Sequence, residues 1–173
     1  MTSQPSTSRP VVFRELQPRD SIAAITALLH AAYRPLAEQG FRFLASHQGD
    51  DVTRERLASG DPLVGLLDGE IVATLTRYES RPDAPCELFR QADVHCLGQF
   101  AVRPDLQGQG IGRQLFELAA GRARQRGCRR LALDTAEGAT HLREWYVRLG
   151  FRVVDRVQWD VTNYRSVVMV KEI

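Results

Sequence analysis

The stretch Gln107-Gly108-Gln109-Gly110-Ile111-Gly112 sets three glycines within five positions, after an apolar run and before a helix-like pattern. Glycine loses more freedom on ordering than any other residue, so this clustering implies tight geometry or a closely approaching ligand. A strand that turns through glycines into a helix presents unpaired main-chain N–H groups at the helix start. Those donors and the helix dipole suit an anion, above all a phosphate or pyrophosphate. A P-loop needs G-x-x-x-x-G-K-[ST], and no register here ends in that pair. A dinucleotide fingerprint, G-x-G-x-x-G, fails because Arg113 and Leu115 stand where the third glycine belongs in its two registers. Asp134, about 20 residues on, would suit the ribose acid of that fold, but too little chain follows to build it.

The pattern Q-x-x-G-x-G at Gln107 to Gly112, preceded by "FAVRP", resembles the GNAT superfamily of acetyl-CoA-dependent N-acetyltransferases. A second, independent match is "WYVRLGF" over 145–151, similar to that family's aromatic-Tyr-x-x-x-Gly-Phe helix ending. The resemblance implies a mixed, mostly antiparallel sheet of about seven strands, splayed between strands four and five, with helices on both faces. It implies a cofactor arm paired with the exposed edge of strand four, at Phe100, Ala101 and Val102. The pyrophosphate would rest on the amides of Gln107, Gly108, Gln109, Gly110, Ile111 and Gly112, with Arg113 nearby. Tyr146 takes the place of the general acid, since a phenol of pKa about 10 stays protonated and can donate to a departing thiolate. A strand-four N–H of Phe100 or Ala101 would stabilise the oxyanion, a contact worth about 3–4 kcal/mol when well aimed.

Two departures stand out. Strand four lacks the glutamate that family members often use as a base. His95, Gln99 (to orient a water or the amine) and Glu79 are the alternatives, and none is singled out. Ala139 stands seven residues before Tyr146, where related sequences often have an asparagine that binds the cofactor.

The elements that must position these residues are legible. "VVFRELQ" reads as a first strand, and Asp20 or Ser21 caps a helix that Pro35 should end. "DDVTRERLASG" reads as a helix capped at Asp50 or Asp51 and closed by Gly60. Asp68-Gly69 joins "PLVGLL" to "EIVATLTRY" as a hairpin. The proline-bearing 79–93 is a loop, and "VHCLGQFAV" is the fourth strand. A helix from Gly110 to about Arg126, strand "RRLALDT", helix "THLREWYVRL" and strands "FRVVDRVQW" and "SVVMVKEI" complete a mixed α/β domain over 11–173. Residues 1–10 read as a disordered tail.

A net charge of +2 calls for no polyanionic partner, so the five arginines of "GRARQRGCRR" read as a solvated helix end rather than a nucleic-acid patch. Three cysteines without a C-x-x-C pair fit a reducing cytoplasm, and four scattered histidines have no metal-ligand spacing. Cys96 reads as a small buried residue rather than an acyl-carrying nucleophile. Neither a secretion signal nor a membrane span is expected. The acceptor is expected to be a small-molecule or peptide amine, contacted by 33–51 and 79–94. The mild acidic excess of the latter would suit a cationic amine. A homodimer is left open, and a non-catalytic acetyl-CoA-binding module is the alternative.

Overall fold

The computed structural model describes residues 10–173, so the expected tail lies outside the described residues apart from Pro10. In chain order the elements are β1 (Val12–Glu15), α1 (Ile22–Glu38), α2 (Asp50–Ala58), β2 (Asp61–Leu67), β3 (Glu70–Tyr78) and β4 (Val94–Val102). They continue with α3 (Ile111–Gln125), β5 (Arg130–Ala136), α4 (Thr140–Arg148), β6 (Arg152–Gln158) and β7 (Arg165–Glu172). The strands form one seven-stranded sheet ordered β1-β2-β3-β4-β5-β7-β6. Every neighbouring pair is antiparallel except β4 with β5. That parallel pair is joined only at Val94, His95 and Cys96 against Arg130, Leu131 and Ala132, so beyond Cys96 the two strands part.

Helices α1 and α2 cover one face, where Ile25, Leu28, Leu29 and Leu57 close over Val64 and Ala101. Helices α3 and α4 cover the other, where Leu115, Phe116, Tyr146 and Leu149 meet Leu63, Leu97, Leu131 and Met169. Strand alternation explains the division: Leu63 and Val64, adjacent in β2, point to opposite sides. Removing a buried ring such as Phe116 would cost about 3–5 kcal/mol.

Local chemistry sets the ends. Ser21 caps α1 by accepting the Ala24 N–H at 3.2 Å, while Asp20 is held by Arg14 at 2.7 and 2.8 Å. Asp68 (φ 53°) and Gly69 (φ 85°) both take the left-handed conformation that the tight hairpin requires. Two expectations are corrected. Pro35 does not end α1, which runs on to Glu38. A proline inside a helix costs about 3 kcal/mol. Here Leu36 is buried against Ala136 and Ala139, and the Gln39 main-chain and side-chain N–H groups both close on the Pro35 carbonyl. Helix α2 is capped by Gly49 and Ser59, not by Asp50 or Asp51 and Gly60. The two aspartates sit in its first turn, where they complement the dipole.

The arginine-rich stretch from the end of α3 to the start of β5 is tied to acids: Arg122 pairs with Glu15 of β1, Arg126 with Asp61 of β2 at 3.5 Å, and Arg130 with Asp93, just before β4, at 2.8 Å. Beneath it lies a buried polar pair. Arg77, itself paired with Asp61, donates to His95 Nδ1 at 2.7 Å. Burial, and then the Arg77 charge, lower the His95 pKa below its usual 6.5. A histidine that must stay neutral in the fold gives stability that is complete above the unfolded pKa and lost as pH falls below it. The melting temperature is therefore expected to fall between pH 7 and 5, at no more than about 1.4 kcal/mol per pH unit for this one proton. A pH series of melting curves checks this; in His95→Gln the slope should flatten.

Candidate active site

The site begins with an irregularity in β4. Thr74 pairs with Ala101 but Thr76 pairs with Gly98, so Gln99 and Phe100 together oppose Leu75 as a β-bulge. Gln99 takes a left-handed φ of 49°. The extra residue reverses the alternation: Leu97 faces α3, whereas Ala101, four residues on, faces α1. Gln99 is thereby turned to the α1–α2 side, where its Oε1 accepts from Gln48 Nε2 at 2.9 Å. Gln48 is fixed in turn by Thr53 and by Arg56, whose Nη1 donates to its Oε1 at 2.5 Å. The Gln99 Nε2 is buried with no hydrogen-bond partner among the described residues.

Past the bulge, one edge of β4 faces the gap left by β5. Arg103 donates its N–H to Val72, so by antiparallel alternation Ala101 turns its main-chain groups to β3 and Val102 turns its own to the gap. Ala101 thus lends the gap its surface rather than an amide. The gap-facing carbonyls already accept side-chain donors: Tyr33 Oη reaches the Phe100 carbonyl at 3.2 Å and Gln107 Nε2 the Val102 carbonyl at 3.0 Å. Each carbonyl keeps a second lone pair for an added strand-like ligand.

The glycine corner completes this side. Gly108 (φ 78°) and Gly110 (φ 82°) adopt the left-handed conformation, and Gly110 caps α3 with no side-chain bond to its first N–H groups. Gly112 is helical and needed for a different reason, since a Cβ there would lie 3.2 Å from the Trp145 ring. The corner, the β4 edge and α4 enclose a groove of about 610 Å³. Its charged or basic lining is Arg113, His141 and Arg148, with no carboxylate. Of the residues singled out for the cofactor, all but Gln109 line this groove; the Gln109 side chain turns back to the Asp105 carbonyl. Ala139 is buried at the α4 N-terminus, outside both cavities described here.

Adjoining this groove lies a second cavity of about 520 Å³. Its walls come partly from the expected segments, with Tyr33, Phe43, Glu79 and Arg81, partly from Asp134, and partly from residues the sequence did not single out, notably Arg56, Trp159 and Tyr164. The loops over it are clasped by Asn163, whose amide bonds both the Gly40 carbonyl (2.8 Å) and the Arg42 N–H (2.9 Å). The two cavities meet at Tyr33, Leu142 and Tyr146, which line both. The Tyr146 hydroxyl makes no hydrogen bond among the described residues, and burial raises its pKa well above 10. Tyr33, pushed up to about 12 by burial, has its proton committed to Phe100.

Asp134 is the acid that sequence reading raised only to set aside. It projects from β5 into the second cavity and accepts the Trp159 indole N–H at 2.9 Å. Burial raises its pKa above 3.8 despite that bond and the Arg81 and Arg56 charges. Its field reaches Tyr33, Tyr146 and Tyr164 alike. The other base candidates fare differently. His95 points to the α3 face, bonded to Arg77, and lines neither cavity. Glu79 sits exposed at the cavity mouth, 3.9 Å from Arg126. Cys96 lines the cavity, but burial pushes its thiol up to about 12, which keeps it neutral. Among the described residues no group of three or more His, Cys, Asp or Glu is placed to hold a metal ion, and no helix is long and apolar enough to cross a membrane.

Residues 23–151 match the model of the acetyltransferase (GNAT) family. Among solved structures, a protein of Pyrococcus horikoshii OT3 superposes with a TM-score of 0.75 at 17% identity, over 95% of this chain and 99% of its own. A GNAT family acetyltransferase from Elizabethkingia anophelis, solved with acetyl-CoA bound, gives 0.66 at 17% identity, over 94% and 98%. The ribosomal-protein-S18-alanine N-acetyltransferase from Escherichia coli gives 0.70 at 18% identity, over 95% and 94%. No curated protein matches the sequence. At such identities the structural likeness carries the fold alone. The family match spans most of the chain and contains both sequence motifs, and with it the chain belongs to the GNAT family of acetyltransferases.

Proposed function

We propose that the protein transfers the acetyl group of acetyl-CoA to a primary amine by direct attack in a ternary complex. The observation that carries this reading is the junction of the two cavities at Tyr146, with an uncommitted phenol on the line between them. In this reading the groove takes acetyl-CoA and the second cavity takes the acceptor. The free N–H groups at the start of α3 and the positive lining of the groove suit a diphosphate. The β4 edge suits the pantetheine amides, and one of its N–H groups polarises the thioester carbonyl.

The amine nitrogen attacks the thioester carbon and its proton passes to Asp134, directly or through water. The tetrahedral intermediate collapses, the C–S bond breaks, and the thiolate takes the Tyr146 proton. Transfer of the proton from Asp134 back to Tyr146 through solvent resets the site. Gln99 orients a water or the amine through the second lone pair of its Oε1, on the same wall.

Thiol release from acetyl-CoA over a panel of primary amines tests the reaction. Release dependent on one class of amine is expected. Acetyl-CoA binding without release for any amine would favour a non-catalytic binding module instead. The corner has its own test. A side chain at the left-handed Gly110 is strained by about 1–2 kcal/mol, so Gly110→Ala is expected to weaken acetyl-CoA about tenfold by calorimetry. The control is Gly121→Ala: a Cβ there meets nothing within 4 Å. It should leave that affinity unchanged and stabilise α3 by about 1 kcal/mol.

A further inference from the structure

The acceptor cavity carries charges that acetyl transfer does not use. Arg56 gives Nη1 to Gln48, and its Nη2 lies 3.8 Å from where a Cβ on Gly98 would stand. Arg81 lies over the Trp159 ring, 5.4 Å from its centroid, at the exposed end of the same cavity. Arginines elsewhere along the sheet, Arg14, Arg77, Arg122 and Arg130 among them, each hold a carboxylate. Arg56 and Arg81 hold none among the described residues, although both act on Asp134 from a distance. Beside Arg56 the Gln99 Nε2 and the Tyr78 hydroxyl are buried close to each other, with no partner of hydrogen-bond geometry among the described residues. One wall therefore offers donors and positive charge, and the inner end offers a single carboxylate, Asp134. Glu79, at the mouth, faces Arg126. Aromatic rings, Phe43, Tyr164 and Trp159, supply the remaining surface.

We propose that the acceptor is a free α-amino acid with an apolar side chain: its carboxylate is held by Arg56 and Arg81, its amine faces Asp134, and its side chain packs on the aromatic wall. This rests on the reading of this cavity as the acceptor site. The cavity, about 520 Å³, lies in the range of small-ligand sites, and planar guanidinium forks match a carboxylate better than they match any neutral group. The cationic amine suggested by the acidic residues of 79–94 is disfavoured, because of those acids only Glu79 lines the cavity.

The experiment compares phenylalanine, phenylalaninamide and phenethylamine, and the leucine equivalents, as acceptors in thiol release. The free amino acids are expected to lead by about tenfold or more in kcat/KM, since a site built to bind a polar group rejects analogues lacking it. In Arg81→Gln that lead should fall to within about threefold, and Arg81→Lys should restore part of it through KM rather than kcat. An equal or better rate with the amide or the decarboxylated amine overturns the proposal, as does a lead unchanged in Arg81→Gln. Turnover confined to amines of another class overturns it while leaving acetyl transfer standing. No release with any amine removes the proposal together with the reaction it rests on.

Discussion

Tyr146→Phe is expected to lower kcat by about 100-fold or more, the usual loss for a missing general acid. The affinity for acetyl-CoA should change by no more than about threefold, because the ring and its packing remain. Among the described residues the phenol is the one hydroxyl at the junction of the two cavities without an acceptor of its own, and burial holds it protonated far into the alkaline range. A general acid acts while protonated, so no alkaline loss of kcat from this group is expected below pH 10. Tyr33 is a poor substitute, since its proton is engaged by the Phe100 carbonyl. Stopped-time assays at saturating acetyl-CoA measure the effect directly. Full activity in Tyr146→Phe would remove the assigned acid.

Asp134→Asn is expected to lower kcat/KM by about 100-fold at neutral pH while leaving the fold at least as stable. The two parts of this prediction have one cause. Burial raises the Asp134 pKa, so the folded state holds that proton more tightly than the unfolded state does. The stability it contributes is present at low pH and is lost as pH rises through the folded pKa, so at pH 7 the charged carboxylate is a burden. Asparagine keeps an oxygen for the Trp159 N–H without the charge. A melting temperature equal to or above that of the parent, with activity lost, would mark a residue kept for chemistry. In the parent protein kcat/KM should fall as pH drops through a pKa above the ordinary carboxylate range. A markedly lower melting temperature in Asp134→Asn would instead assign Asp134 to structure.

Most elements could be read from the chain because their signals are local. Asp68-Gly69 forces a hairpin, Ser21 caps α1, and the apolar runs of β2 and β3 that flank the turn need no partner to be recognised. Pro35 misled for a physical reason: the local cost of a helical proline is outweighed by the burial of Leu36 against β5 and the α4 terminus, a contact between distant segments. The glycine corner was equally legible, and its three glycines resolve into two causes, positive φ at Gly108 and Gly110 and the approach of Trp145 at Gly112.

The acceptor side was much less so. Its key device is the bulge at Gln99, and the one local sign of it is a lone glycine, Gly98, inside the strand pattern, which does not say to which side the following residues turn. One extra residue moves every later side chain to the other face, so alternation cannot tell which β4 residues meet the acceptor. His95 and Cys96, adjacent in sequence, end on opposite sides of the sheet for the simpler reason of pleat. The signal for Asp134 was present, an acid within the apolar run "RLALDTA". Its meaning waited on the splay of β4 from β5, which opens the space into which it points. Arg56 and Trp159 come from elements far apart in sequence, brought together only by the packing of α2 and the β6–β7 connection.

The direct test of the whole account is a calorimetric titration of the protein with acetyl-CoA, repeated with ATP and NAD. Saturable, one-to-one binding of acetyl-CoA, stronger than that of either nucleotide, is the expected result. An absence of heat with acetyl-CoA, or tighter binding of NAD or ATP, would contradict the assignment of the glycine corner and the splayed strand edge to the thioester cofactor.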